Sequence, residues 1–357
     1  MRRITWRMTR RNRRLFGTIC ATIAFGMGAV RACDLCGCYT PQVEAMSQSE
    51  MTAGGPMSAS RFYFAVAEQF THFGTLQLDG DEVSNPTGQY LDSSITQLVA
   101  GYNFNSRFAL QINVPLIYRS FERPEGFEID RGTESGLGDI SLLGKWLAYQ
   151  YESAGSTRVK FDDPKNPQLE SHEPDFSVSA LLLGGVKFPT GDTSRLKEEF
   201  NEVEMPGAPE SAIHGHDLTL GSGSFDGIVG GQFSLRYKSF FFTADTQFTF
   251  RSEGDYEYRF ANDLSWRGGP GFYLVRNPQT IVGLQLAVSG EHKDLDRFQG
   301  QPAEDTGITS VFLGPRVVVS HGKLSGELAV ELPVSINNTA LQIVPDYRLQ
   351  ASFGMRF

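Results

Sequence analysis

Beyond residue 38 the chain has no cysteine. Its four, Cys20, Cys33, Cys36 and Cys38, all sit at the N-terminus, so the rest of the protein has neither disulfides nor thiolate ligands. After residue 32 no apolar run reaches the length of a membrane-spanning helix. If that part of the chain crosses a bilayer, it must do so as a closed β-barrel, the other form that satisfies every backbone group in lipid. Basic residues are also in the minority, 32 against 41 acids, for a net charge of −9. That sign excludes nucleic acid as a partner. The six histidines are His72, His172, His214, His216, His292 and His321, and none stands two residues before a serine in an apolar strand. A lipid-facing hydrolase of the barrel type would need such a pair, so no enzyme is expected.

The beginning of the chain has what the remainder lacks. Residues 1–14 carry seven arginines and no acid, and an apolar run over 15–30 leads to small residues around Ala32. This is the order of a secretory signal, and 1–32 is read as one. Its removal deletes eight arginines and no acid, which takes the net charge from −9 to −17 (−9 less 8). Residues 33–60 then form a periplasmic lead-in that opens on Cys33, Cys36 and Cys38. Three readings of this cluster stand side by side. Cys33 carries a lipid anchor, two of the cysteines form a disulfide, or the thiolates hold a soft metal such as Cu(I) or Zn(II) with Met46 or Met51. No other cofactor is expected.

From residue 61 onward the side chains alternate. In 347–357, Tyr347, Leu349, Ala351, Phe353, Met355 and Phe357 share one face, and Arg348, Gln350, Ser352, Gly354 and Arg356 the other. Such segments recur at 61–76, 91–104, 107–120, 138–151, 175–188, 224–237, 239–251, 256–274, 279–290, 309–320, 323–334 and 346–357. An all-β fold follows: a transmembrane antiparallel up-and-down β-barrel of about twelve strands over 61–357, with apolar faces toward lipid and polar faces toward a lumen. The connections alternate in length, as periplasmic turns and outer loops do. Those at 105–106, 238, 276–278 and 321–322 are short, and those at 77–90, 121–137, 189–223, 291–308 and 335–345 are long. Residues 152–174 and the turn near Gly254 break the rule.

The inward faces supply the candidate lumen residues: Asp139, Lys145, Lys187, Arg236, Asp245, Arg259, Asp263, Arg267, Arg316, Glu327, Glu331, Arg348 and Arg356, among glutamines and asparagines. Both signs are present, and Arg316, Glu327, Glu331 and Arg348 fall on consecutive strands where cross-strand pairs form. Two readings remain open, a salt-bridged interior and a charged constriction that selects solutes. Twelve strands enclose a narrow or plugged lumen. In the long loop 189–223, His214 and His216 stand among seven acids, a composition able to bind a divalent cation.

Six stretches carry a resemblance: residues 113–118 (NVPLIY), 136–140 (GLGDI), 185–192 (GVKFPTGD), 221–226 (GSGSFD), 313–316 (LGPR) and 331–334 (ELPV). In this order they resemble the outer-membrane "meta-pathway of phenol degradation" family of barrel transporters, over roughly residues 60–357. The resemblance implies a channel in the Gram-negative outer membrane for small solutes, aromatic or hydrophobic compounds or cations. Its implied surroundings are outer-membrane lipid and lipopolysaccharide, with the barrel-assembly machinery as partner. The N-terminal cysteine cluster departs from the family. It keeps open the alternative of a metal-binding outer-membrane protein, and a barrel enzyme is the third reading.

Overall fold

The structure is a computed structural model that describes residues 61–153, 156–160, 168–172, 175–201, 205–277 and 279–357. The signal, the lead-in and their cysteines lie outside the described residues. Twelve strands close into one antiparallel ring. They are β1 (Phe62–Leu78), β2 (Tyr90–Asn103), β3 (Phe108–Glu125), β4 (Ser141–Glu152), β5 (Phe176–Lys187) and β6 (Asp226–Tyr237). The ring continues with β7 (Phe240–Phe250), β8 (Asp263–Arg276), β9 (Thr280–Lys293), β10 (Ile308–His321), β11 (Leu324–Asn338) and β12 (Leu341–Arg356). Each pairs with its neighbours in sequence, and β12 returns to β1 in a register that runs from Tyr63↔Arg356 to Leu78↔Leu341. No sheet edge of the ring is left unpaired, so no strand offers a template for aggregation.

The alternation read from the sequence sets which way each side chain faces. On β10, Val317 and Val319 are exposed outside while Val318 between them is buried within. On β11, Leu328, Val330 and Leu332 are exposed and Glu327, Ala329 and Glu331 are buried. The outer surface is therefore an apolar belt, stable only in hydrocarbon. Aromatic contacts gather at its lower rim: Phe62–Tyr102 at 4.8 Å, Phe108–Trp146 at 6.2 Å and Phe240–Phe272 at 5.1 Å. Phe70–Tyr347 and Phe188–Phe225 mark the upper one. Rings suit the headgroup boundary because one end is apolar and the other tolerates water. Among the described residues no helix is long and apolar enough to cross a membrane.

Two glycines make particular packing possible. The Tyr63 ring lies across Gly101 on the neighbouring strand, where an added Cβ would stand 1.9 Å from the ring. Gly269 has φ of +138°, beside Pro270, where the β8–β9 ladder is interrupted between Gly268↔Val288 and Gly271↔Gln285 without a change of register.

Three features differ from the sequence reading. The eighth wall strand starts at Asp263, not at 256, because Asp255–Glu257 forms a 3-10 turn and Tyr258–Arg259 pairs with Asp296–Phe298 in a small sheet away from the wall. Arg259 therefore lies exposed in a loop sheet and is not a lumen residue. The connections 121–137 and 335–345 are mostly strand. β3 runs on to Glu125 and Glu128–Leu137 folds back on it, while β11 and β12 are joined only through residues 339–340. Polar composition marked these stretches as loops, but the backbone pairing of the wall continues through them as hairpin arms. Residues 152–174, long on the periplasmic side, contain the paired strands Ser156–Lys160 and Gln168–His172.

Candidate functional site

Polar side chains of the inward faces meet across the lumen rather than along the wall. Arg267 on β8 donates to Gln350 Oε1 on β12 at 2.6 Å, and Gln350 donates on to Gln69 of β1 at 3.0 Å. Arg348 on β12 reaches Glu291 on β9 at 3.2 Å and Glu331 on β11 at 3.9 Å, with its guanidinium 4.0 Å from the Phe312 ring centre. Ser289 donates to Glu331 Oε2 at 2.7 Å, and Arg267 stands 3.8 Å from Glu327. Arg316 donates to Gln285, which bonds Thr243 in turn. These chains tie non-adjacent strands together through the interior. Glu327 Oε2 and Glu331 Oε1 are buried without a hydrogen-bonding protein partner, so the network leaves one acceptor of each carboxylate unsatisfied.

The lumen is capped from above by the loop between β5 and β6. Residues 212–218 fold inward, and Ala212, Ile213 and Leu218 pack on Phe73, Leu76, Leu91, Phe121 and Ile343, which project from the inner faces of β1, β2, β3 and β12. Two arginines fix this plug by its backbone. Arg119, fully buried on β3, donates to the carbonyls of Asp217 and Thr219, each at 2.5 Å. Arg123 donates to the Ile213 carbonyl at 3.2 Å and to Glu198 at 2.8 Å. Gln89 completes the clamp by donating to the Glu210 carbonyl and accepting from the Ala212 amide. Leu196 of the 3-10 turn Ser194–Phe200 packs against Tyr258 and Phe260, so a second outer loop holds the first down.

Within the plug, His214 Nδ1 lies 2.6 Å from Asp305 and His216 Nδ1 lies 3.1 Å from Glu199. Burial alone would lower the pKa of His216, but Asp217, Glu199 and Asp305 around it push it up to about 10. Asp305 is held far below the usual carboxylate range, since the bond from His214 and the nearby imidazoles outweigh its burial. This corner of the plug demands positive charge.

At the outer rim the two glycine-rich motifs come together. Lys187 donates to Asp139 at 2.9 Å and to Ser222 at 2.7 Å, and lies 2.7 Å from Asp226. Asp139 also accepts the backbone N–H groups of Thr190, Gly191 and Ser222. Arg251 bridges Asp226 and Asp263. The GLGD and GSGSFD stretches thus build a rim joint that anchors both ends of the plug loop. Burial works to raise the Asp139 pKa, but the Lys187 charge and these donors outweigh it and the net shift is downward. A depressed carboxylate contributes stability that is complete above its unfolded pKa and is lost as pH falls through the folded value. The contribution of this carboxylate to the unfolding temperature, followed by heat-modifiable gel migration, should therefore be complete above about pH 5 and be lost below about pH 4. Asp139→Asn should flatten that part of the acid fall, and an unchanged acid slope would refute the assignment.

Of the residues singled out in the sequence, Lys145, Arg236, Asp245, Asp263, Arg267, Arg316, Glu327, Glu331 and Arg348 are buried inside the ring, Asp139 and Lys187 meet at its rim, and Arg356 is half-buried at the lower mouth. His214 and His216 meet in the plug, 5.6 Å apart by ring centres. Cys33, Cys36 and Cys38 lie outside the described residues. Sequence reasoning missed Arg119, Arg123 and Gln89, although the inward parity of Arg119 on β3 was readable. It also missed an ionisable group on the outer wall. His72 faces outward, bonded to Asp92 at 2.6 Å and stacked on Tyr347, while Ser94 donates to Glu68 rather than to the imidazole. The serine–histidine contact of a hydrolase is therefore not formed there.

No family model and no curated protein matches the chain. Solved structures do. An outer-membrane channel from Pseudomonas putida F1 aligns over 85% of this chain and 97% of its own, with a TM-score of 0.52 at 13% identity. The β-domain of the Bordetella autotransporter BrkA aligns over 84% and 100%, with 0.41 at 11%. The CymD monoaromatic hydrocarbon channel aligns over 93% and 95%, with 0.36 at 9%. The first of these shares the fold. Together with the closed ring, the apolar belt and the aromatic rims, it makes this chain a twelve-stranded β-barrel of the Gram-negative outer membrane.

Proposed function

We propose that the protein is a passive channel for small hydrophilic solutes, shown here with its outer mouth plugged. One observation carries this reading: the interior is lined by charged and amide side chains from walls all round the ring, and one carboxylate oxygen each of Glu327 and Glu331 has no hydrogen-bonding protein partner. A barrel serving only as a rigid anchor has no use for a charged axis, and polar networks left partly unsatisfied are costly. The P. putida protein of similar fold is an outer-membrane channel, which supports the same reading. Acids and bases are nearly balanced in the lumen, which favours small polar or zwitterionic solutes. Aromatic cargo, implied by the family resemblance, would meet apolar side chains only in separate clusters between the polar ones, such as Phe241 with Tyr273, Ile281 and Val318, Ile95 with Ile117, and Leu143 with Leu183 and Ile228.

The test is conductance of purified protein in a planar bilayer. Small, flickering openings are expected from the intact chain, since the plug is held by hydrogen bonds and packing rather than covalently. Charge-reversing Glu331→Lys should shift ion selectivity toward anions. A folded protein silent under all voltages, with no solute flux into liposomes, would overturn the channel reading.

A further inference from the structure

The plug gathers more ligand chemistry than a latch requires. His214, His216 and Asp217 each place one ligand atom within 4.8 Å of the others. Behind them stand two more carboxylates from separate segments: Glu199 from the 3-10 turn Ser194–Phe200, and Asp305 from the turn Glu304–Thr306. Both imidazoles have the same arrangement. His214 sets Nδ1 against Asp305 at 2.6 Å, and His216 sets Nδ1 against Glu199 at 3.1 Å. A carboxylate behind Nδ1 is how proteins orient a histidine whose Nε2 binds a metal. On His216 that Nε2 is 3.5 Å from Asp217 Oδ1, so nitrogen and oxygen ligands already converge.

The backbone is shaped for this approach. Gly215 separates the two histidines, and a Cβ there would lie 2.3 Å from the Arg195 carbonyl and 3.1 Å from Glu199 Oε1. Only glycine lets the His-Gly-His turn press against the segment that brings Glu199. His216 is 4% exposed, and the Tyr258 ring stacks on its other side at 5.9 Å. With neutral imidazoles the five groups carry three negative charges, more than enough to offset a dication.

We propose that His214, His216 and Asp217 bind a divalent first-row transition metal ion, with Glu199 and Asp305 orienting the two imidazoles. Two nitrogens and a carboxylate select Zn²⁺ or its neighbours Co²⁺, Ni²⁺ and Cu²⁺ over Ca²⁺ and Mg²⁺, which take oxygen. Because the two supporting carboxylates come from the Ser194–Phe200 turn and from the β9–β10 connection, the ion would fasten the plug to a neighbouring loop through the imidazoles they hold. The proposed ligand set uses none of the N-terminal cysteines and does not depend on solute passing through the lumen.

The experiment uses the full-length protein with Cys33, Cys36 and Cys38 replaced by serine, so that thiolates cannot contribute. Titration with Zn²⁺ should show one ion bound per chain. Cu²⁺ loading should give an electron paramagnetic resonance spectrum with coupling to two imidazole nitrogens. His214→Ala/His216→Ala should abolish both signals while heat-modifiable migration remains. Asp305→Asn, a milder change, should weaken affinity about 10-fold or more, the usual effect of losing an outer carboxylate. Protection of residues 201–210 from protease should rise with Zn²⁺ only when both histidines are present. No stoichiometric Zn²⁺ binding in the cysteine-free protein, or binding that survives the double histidine substitution, would overturn the proposal.

Discussion

Replacing Arg119 by alanine should turn a flickering barrel into a steadily conducting one. Arg119 points into the lumen from β3 and is wholly buried, and its guanidinium donates to the carbonyls of Asp217 and Thr219. Bonds from a charged donor contribute about 1.5–3 kcal/mol each, so losing two removes roughly 3–6 kcal/mol from the docked plug. At 1.4 kcal/mol per decade, the displaced state should gain roughly 100-fold or more in population. The apolar contacts of Ile213 and Leu218 with Phe73, Leu91 and Phe121 stay in place, so the plug should loosen rather than unfold. Open probability in single-channel records is the measurement. Arg119→Lys should fall between wild type and alanine, since one ammonium cannot reproduce the guanidinium's paired geometry. If the alanine variant folds, keeps its heat-modifiable migration and conducts no more than wild type, residues 212–218 are not the gate.

The wall of this barrel was legible because period-two alternation is a local property. Each of β3, β7, β11 and β12 states its own inward face, and Phe108, Leu110 and Ile112 needed no partner to be placed outside. The plug was not legible for the opposite reason. Residues 189–223 read as polar and acidic, and nothing in them says that Ile213 and Leu218 will meet Phe73 and Leu91, more than a hundred residues earlier, inside the ring. Arg259 was assigned to the lumen because Tyr258 and Phe260 alternate with it as they would in a wall strand. In fact Tyr258 and Phe260 bury against Leu196, and alternation there serves a loop core. His72 was passed over because a serine two residues later was the pattern sought, whereas the ionisable partners Asp92 and Asp346 lie on neighbouring strands. Register, not sequence spacing, brings such groups together.

Lys187→Met should be the most destabilising single change at the outer rim. The Nζ of Lys187 stands 2.9 Å from Asp139, 2.7 Å from Asp226 and 2.7 Å from the Ser222 hydroxyl, and both carboxylates are almost wholly buried. Methionine keeps the volume and apolar stem but deletes the charge between two acids. Arg251, 2.9 Å from Asp226, still compensates one of them. Asp139 retains only neutral donors. Removing one partner of a buried ion pair costs about 3–5 kcal/mol, because the remaining charge stays buried without its counterpart. The loss should appear as a lower temperature of heat-modifiable conversion and a lower urea midpoint. It should also free the plug loop, whose two ends are tied here through Thr190, Gly191 and Ser222. Adding Asp139→Asn to Lys187→Met should restore much of the stability, since the orphaned charge is then gone. By contrast Arg131→Ala, which breaks an exposed 2.8 Å pair with Glu122 on the hairpin above the membrane, should change little. If Lys187→Met is as mild as Arg131→Ala, or if the second substitution makes matters worse, the joint between the two glycine-rich motifs does not hold the rim together through its charges.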